Sequence, residues 1–139
     1  SGWNPPDLKK MALPPCHILY IWNIHQNRLN GTLVMRSGDL VLGVPFNVVS
    51  LTILTRLIAK EVGLECVKVT IFIANTHIYT NHIPKVKPLL SQFPVLTHPF
   101  PTLELDEEIS ILHPEKMIFK QLRLKNYKSY PRIKFDMVA

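Results

Sequence analysis

The feature that most restricts the fold is a change of hydrophobic period at Pro45. Ahead of it, "HILYIWNI" (17–24) and "RLNGTLVMRS" (28–37) are rich in β-branched and aromatic side chains, with His25, Gln26 and Asn27 between them. That composition predicts two long strands folded back as a hairpin. Beyond Pro45, the residues Phe46, Val49, Ile53, Leu54, Leu57 and Ile58 recur at three- and four-residue steps. This spacing predicts a helix buried along that stripe, with Arg56, Lys60 and Glu61 on its wet side. Pro45 suits a first helical position, where a missing N–H costs nothing, and Gly63 suits the residue just past the end. "CVKVTIFIA" (66–74) then returns to strand composition.

The flanking segments carry weaker signals. In the opening "SGWNPPDLKK", Asp7 is expected to cap a short helical turn through Ala12, which Pro14 and Pro15 then stop and force into an extended path. A second helix is expected around 80–90, short or kinked because Pro88 removes a hydrogen bond and crowds the carbonyl of Pro84. After a proline-rich loop at 94–101, alternation returns in "TLELD" and "QLRLKNY". Together these predict a single α+β unit over residues 1–139, with a mixed or antiparallel sheet under two helices.

Composition narrows the class. Apolar residues make up 47% of the chain and charged residues 19%, which leaves more apolar surface than one small core covers and favours a subunit interface. The longest apolar stretch, Leu40 to Leu54, is broken by Asn47, Ser50 and Thr52, so no membrane span is expected. The net charge of +6 is spread along the chain without a dense basic block, and nucleic acid is an unexpected partner. Two widely separated cysteines make no disulfide framework, and a reducing compartment such as the cytoplasm is the expected setting. His77 and His82 are five apart and miss the spacing of two ligands on one helix face, so no metal site is expected.

Chemistry is concentrated in four places. Cys16 follows a stiff Pro14-Pro15 lead-in, and Arg36 on the paired strand can stabilise a thiolate by its charge; the alternative is a small apolar residue closing a turn. "MRSGD" (35–39) brings an arginine, a hydroxyl and a carboxylate together, and Arg36 with Ser37 can grip a phosphate, unless the group is only a surface ion pair beside a turn. Asn47 places a costly amide in an apolar helix start, where it either caps locally or reads a ligand edge. His77 and Tyr79, two apart on an extended segment, present polar tips suited to a sugar hydroxyl, or are simply structural.

"WNPPDLKKMALPPCH", "RSGDLVLGVPFN", "THIYTNH" and the terminal "YPRIKFDMVA", in that order and spacing, closely resemble the carboxyl half of thymidylate synthase. The resemblance implies that family's fold, dimerisation through the sheet, and methyl transfer to dUMP from methylenetetrahydrofolate, giving dTMP and dihydrofolate. It implies that Cys16 is the nucleophile adding to C6 of uracil, with Arg36 and Asn47 beside it in the catalytic set. Arg36 and Ser37 would hold the phosphate, Asn47 the uracil edge, and His77 and Tyr79 the deoxyribose hydroxyl, with His17 beside the pyrimidine and Asp39 also near the nucleotide. Asp39, Leu42, Gly43 and Phe46 would line the folate side, and the end of the chain, Val138 and Ala139, would close over it. The cytosine-using hydroxymethylase relatives carry aspartate where this chain has Asn47. Met35 stands where the family usually has glutamine, and Ile73 and Ala74 where it usually has two glycines. The family's amino-terminal half, with its general-acid glutamate, folate-lining tryptophans and phosphate-reaching arginines, is expected to be missing from these residues. The expected partners are therefore a second copy, a separate amino-half chain, or both. Two alternatives remain open: a dUMP hydroxymethylase, and a catalytically dead structural or binding subunit.

Overall fold

The computed structural model of the protein describes residues 4–92 and 98–137. Strand β1 (His17–His25) turns back on β2 (Arg28–Asp39) as the predicted hairpin, with His25 opposite Arg28. The two loop residues, Gln26 and Asn27, have φ angles of 49° and 61°. Positive φ at both central positions gives the connection whose twist matches that of the paired strands.

Helix α1 (Val44–Glu61) follows, then β3 (Glu65–His77), which pairs parallel to β2. The sheet order is β1-β2-β3 and the sheet is mixed, because a parallel pair needs a crossover and α1 supplies it. Pro45 lies in the first turn of α1. Gly63 ends the helix at φ 67°, a left-handed conformation that lets its N–H bond Lys60 O at 3.3 Å and the Leu64 N–H bond Ala59 O at 2.8 Å. This pair of bonds is the Schellman closure, and it is the reason a glycine stands there.

The buried side of α1 matches the predicted stripe only in part. Leu51, Thr55, Leu57 and Ala59 are buried, whereas Phe46 is 72% exposed and Val49 is also exposed. The helix is apolar on nearly every side, so large residues alone do not say which side meets the sheet. Gly31 decides it. The absent side chain of Gly31 admits Thr55, whose Oγ1 would lie 2.2 Å from any Cβ at position 31. The same Oγ1 accepts a hydrogen bond from Trp22 Nε1 at 3.2 Å. Around this contact Leu33 and Met35 of β2 pack against Leu51, flanked by Tyr20, Val69, Ile71 and Ile73.

The other sheet face has no such cover among the described residues. Leu19, Val34 and Phe72 stand side by side in register, and Leu19 and Phe72 are exposed. Among the described residues one helix, α1, packs on the sheet, not the expected two. Helix α2 (Ile83–Gln92), with Pro88 inside it as expected, packs instead beside the short 3₁₀ turn Thr80–His82. The alternating segments pair as a separate two-stranded sheet, β4 (Thr102–Leu105) with β5 (Leu122–Lys125). At the start of the described chain, the predicted turn is a 3₁₀ helix, Pro5–Lys10, and Asn4 rather than Asp7 occupies its cap position. Asp7 instead accepts hydrogen bonds from Asn4 Nδ2 and Lys10 Nζ. No helix among the described residues is long and apolar enough to cross a membrane.

Candidate functional site

Three strands and one helix deliver their ends to the same place. Because β1 runs antiparallel to β2, its start lies where β2 ends; because β3 runs parallel to β2, it ends there as well. The carboxyl ends of parallel strands, next to a helix start, are where sheets of this kind leave a crevice. Here the crevice is a cleft of about 480 Å³.

Cys16 sits on one wall, half-buried. Its carbonyl accepts a hydrogen bond from the Arg36 backbone N–H at 2.9 Å. The Arg36 side chain reaches back over the Pro-Pro segment, with Nε donating to Pro15 O at 3.0 Å and Nη2 to Pro14 O at 2.6 Å. These two bonds tether the guanidinium to the segment immediately ahead of Cys16. A guanidinium has five N–H donors, and these two bonds leave others for an anion. Ser37 follows in the same wall.

The turn from β2 into α1 forms the floor. Asp39 Oδ1 accepts from the Val41 N–H at 2.9 Å, and Asp39 O accepts from the Gly43 N–H at 3.0 Å. The carboxylate thus shapes the loop with one oxygen. Leu42, Gly43, Phe46 and Asn47 line the cleft above it, at the amino end of α1 where the peptide dipoles favour negative charge.

His17 does not line the cleft but supports it from behind. Asn47 Nδ2 lies 2.8 Å from His17 Nε2, and an amide nitrogen can only donate, so Nε2 accepts and the ring proton sits on Nδ1. That proton is donated to Tyr20 Oη at 2.5 Å. Burial pushes the Tyr20 phenol above its ordinary value, which keeps the hydroxyl protonated. The chain Tyr20–His17–Asn47 fixes which way the Asn47 amide faces. Sequence reading missed Tyr20, since strict alternation sets residues 17 and 20 on opposite faces; an irregularity between His17 and Leu19 reverses it.

β3 contributes the opposite wall. His77 and Tyr79 line the cleft with ring centroids 5.1 Å apart, edge to face. The His77 carbonyl accepts from the Leu40 N–H at 3.0 Å, which ties this strand end to the loop after Asp39. Four further lining residues, Leu13, Met35, Gly38 and Met137, had no polar signal to draw attention to them. Gly38 is buried in the cleft wall, where Ile73 and Val44 occupy the space a side chain would need, with atoms 3.0–3.1 Å from an ideal Cβ. The bulky residue at position 73 is thus accommodated by a glycine at 38. Val138 and Ala139 lie outside the described residues.

The comparisons with known proteins agree with one another. A family profile described as Thymidylate synthase matches residues 1–139. The chain is 36% identical over 139 residues to "Thymidylate synthase 1/2" of Encephalitozoon cuniculi (strain GB-M1). That alignment takes in the whole of this chain and 46% of the relative, so the chain spans about half the length of the protein it matches.

Proposed function

The chain belongs to the thymidylate synthase family, and from that premise we propose that it forms the nucleotide-binding and nucleophile-bearing half of a dUMP methyltransferase. What supports this is one observation: a single cleft gathers Cys16, Arg36, Ser37, Asn47, His77 and Tyr79, drawn from β2, α1, β3 and the residues that precede β1 and follow β3.

In this reading the phosphate of dUMP lies against Arg36 and Ser37, and the deoxyribose hydroxyl against His77 and Tyr79. Asn47 offers one donor and one acceptor to the uracil edge, held in that orientation by His17, with Asp39 close to the nucleotide. Cys16 Sγ adds to C6, and the C5–C6 π electrons move toward the carbonyl oxygen at C4, which makes C5 a carbon nucleophile. C5 then bonds the methylene carbon as one of that carbon's bonds to a folate nitrogen breaks; loss of the C5 proton breaks the second carbon–nitrogen bond, and hydride arrival at the same carbon expels Sγ from C6. Methylenetetrahydrofolate supplies the carbon and the hydride that completes the methyl group, leaving as dihydrofolate. Asp39, Leu42, Gly43 and Phe46 face that co-substrate. Catalysis in this reading also needs the family's amino-terminal half, whether covalently joined or separate. A second copy covers the Leu19, Val34 and Phe72 face of the sheet, since an exposed apolar face of this kind favours association.

The test is to assemble the chain with the remaining half, add dUMP and methylenetetrahydrofolate, and follow dihydrofolate absorbance. Dihydrofolate formation with a methylated product mass is expected. An assembled protein that binds both ligands and forms no dihydrofolate contradicts the proposal, and a hydroxymethyl product would reassign the reaction.

A further inference from the structure

His82 is the most deeply buried titratable side chain among the described residues, at 1% exposure. It belongs to neither the cleft wall nor the sheet core. Its Nε2 lies 2.7 Å from the carbonyl oxygen of Asp136, which can only accept, so the ring carries its proton on Nε2. Its Nδ1 is buried and has no hydrogen-bond partner among the described residues. A buried, half-satisfied polar ring is an expensive way to fill space, so something other than packing has to account for it.

The ring stands between two others. It meets Tyr79 edge to face at 5.7 Å and Phe135 at 5.2 Å. Three residues further on, Lys85 Nζ donates to Lys134 O at 2.6 Å and lies 5.8 Å over the Phe135 ring. The segment 134–136 is thereby gripped by two side-chain donors on its backbone carbonyls, with Phe135 held between them. Directly beyond it, Met137, itself 89% exposed, borders the cleft that Tyr79 also lines.

We propose that His82 is a positioning residue: with Lys85 and Phe135 it clamps the carboxyl-terminal segment so that Met137 is presented to the cleft, and it joins that segment mechanically to the Tyr79 wall. The clamp holds backbone carbonyls, so it fixes the register of the segment largely independently of its side chains, apart from Phe135. Retention of the segment and binding of the second ligand, beside which Met137 is presented, then favour one another. This rests on the reading of the cleft as a two-ligand site, although the clamp itself is measurable without ligand.

The experiment compares wild type, His82→Ala and His82→Gln in the assembled protein, with Phe135→Ala as a second way to open the clamp from the tail side. Hydrogen exchange reports on the amides of 134–137 and, as an internal control, on those of β1, β2 and β3. Binding is read with dUMP alone and with methylenetetrahydrofolate added to the dUMP complex. In His82→Ala and Phe135→Ala, tail exchange should rise at least about tenfold with the sheet unchanged. Folate affinity should fall about tenfold, while dUMP affinity stays within about twofold. His82→Gln keeps an N–H donor and should recover most of both. Unchanged tail protection in both opened variants overturns the proposal. So does an equal loss of protection across the sheet, or an equal fall in affinity for both ligands. Should wild type bind neither ligand, the functional reading fails while the exchange data still decide whether the clamp exists.

Discussion

Gly31 is where packing and function meet, and replacing it by alanine is the sharpest test of how α1 is seated. An added Cβ would lie 2.2 Å from Thr55 Oγ1, 3.1 Å from Cγ2 and 3.3 Å from Cβ. Thr55 is fully buried and held by the Trp22 N–H, so it cannot rotate clear. Overpacking of this kind costs at the upper end of the usual range, about 3 kcal/mol, offset by ~0.5–1 kcal/mol because alanine restricts the unfolded strand more than glycine does. The net expectation is a loss of about 2 kcal/mol for Gly31→Ala. In a Thr55→Ala background the two close atoms are gone and only the 3.3 Å contact remains, so the same change should be within ~0.5 kcal/mol of neutral. Denaturant titration of the four proteins in the cycle, followed by tryptophan fluorescence, measures the coupling. A shift of α1 should also disturb Asn47, two turns away and about 12 Å along the helix. Activity should therefore fall in the single variant and recover in the double. Equal costs of Gly31→Ala in both backgrounds would refute this account of the helix seat.

Other expectations follow from the site. Asn47→Asp replaces a donor to His17 Nε2 with an acceptor and inverts the pattern offered to the pyrimidine; discrimination for dUMP over dCMP, measured as a ratio of kcat/KM values, should fall by about 10²-fold. Arg36→Lys keeps the charge but loses the fork that spans the Pro14 and Pro15 carbonyls, so dUMP affinity by calorimetry should drop about tenfold, and equal affinity would remove Arg36 from the phosphate site. Burial pushes the Cys66 thiol above its ordinary value, Arg56 pulls it down and Glu65 raises it. A raised value means less thiolate at a given pH, so iodoacetamide labelling of Cys66 should keep rising past the pH where an ordinary thiol levels off, and Arg56→Gln should slow it further. The same sign makes Cys66 a source of stability below the ordinary thiol range that is lost as pH climbs through the raised value.

The hairpin was legible because β-branched and aromatic runs flank a two-residue turn, and α1 was legible at both ends because proline and glycine mark them physically. Its buried side was legible only in part. Phe46 and Val49 looked like core because size and period were the available signals, yet the sheet accepts the helix at Thr55, where a glycine on a neighbouring strand makes room. That is a pairwise fact about residues 31 and 55, invisible in either alone. Cys16, Arg36, Asn47, His77 and Tyr79, which line one cleft, were singled out in the sequence by their polar or nucleophilic side chains. Leu13, Met35 and Met137 were not, because apolar lining carries no such signal. Tyr20 escaped through the strand irregularity beside it, and His82 because its partner, Asp136 O, is a backbone atom 54 residues away.

The most direct test of the central claim is the intact mass of the assembled protein after incubation with 5-fluoro-dUMP and methylenetetrahydrofolate, followed by peptide mapping. The account predicts one covalent adduct carrying both ligands, located on Cys16 and lost in Cys16→Ala. Both ligands bound with Cys16 unmodified, or an adduct on Cys66, would contradict it.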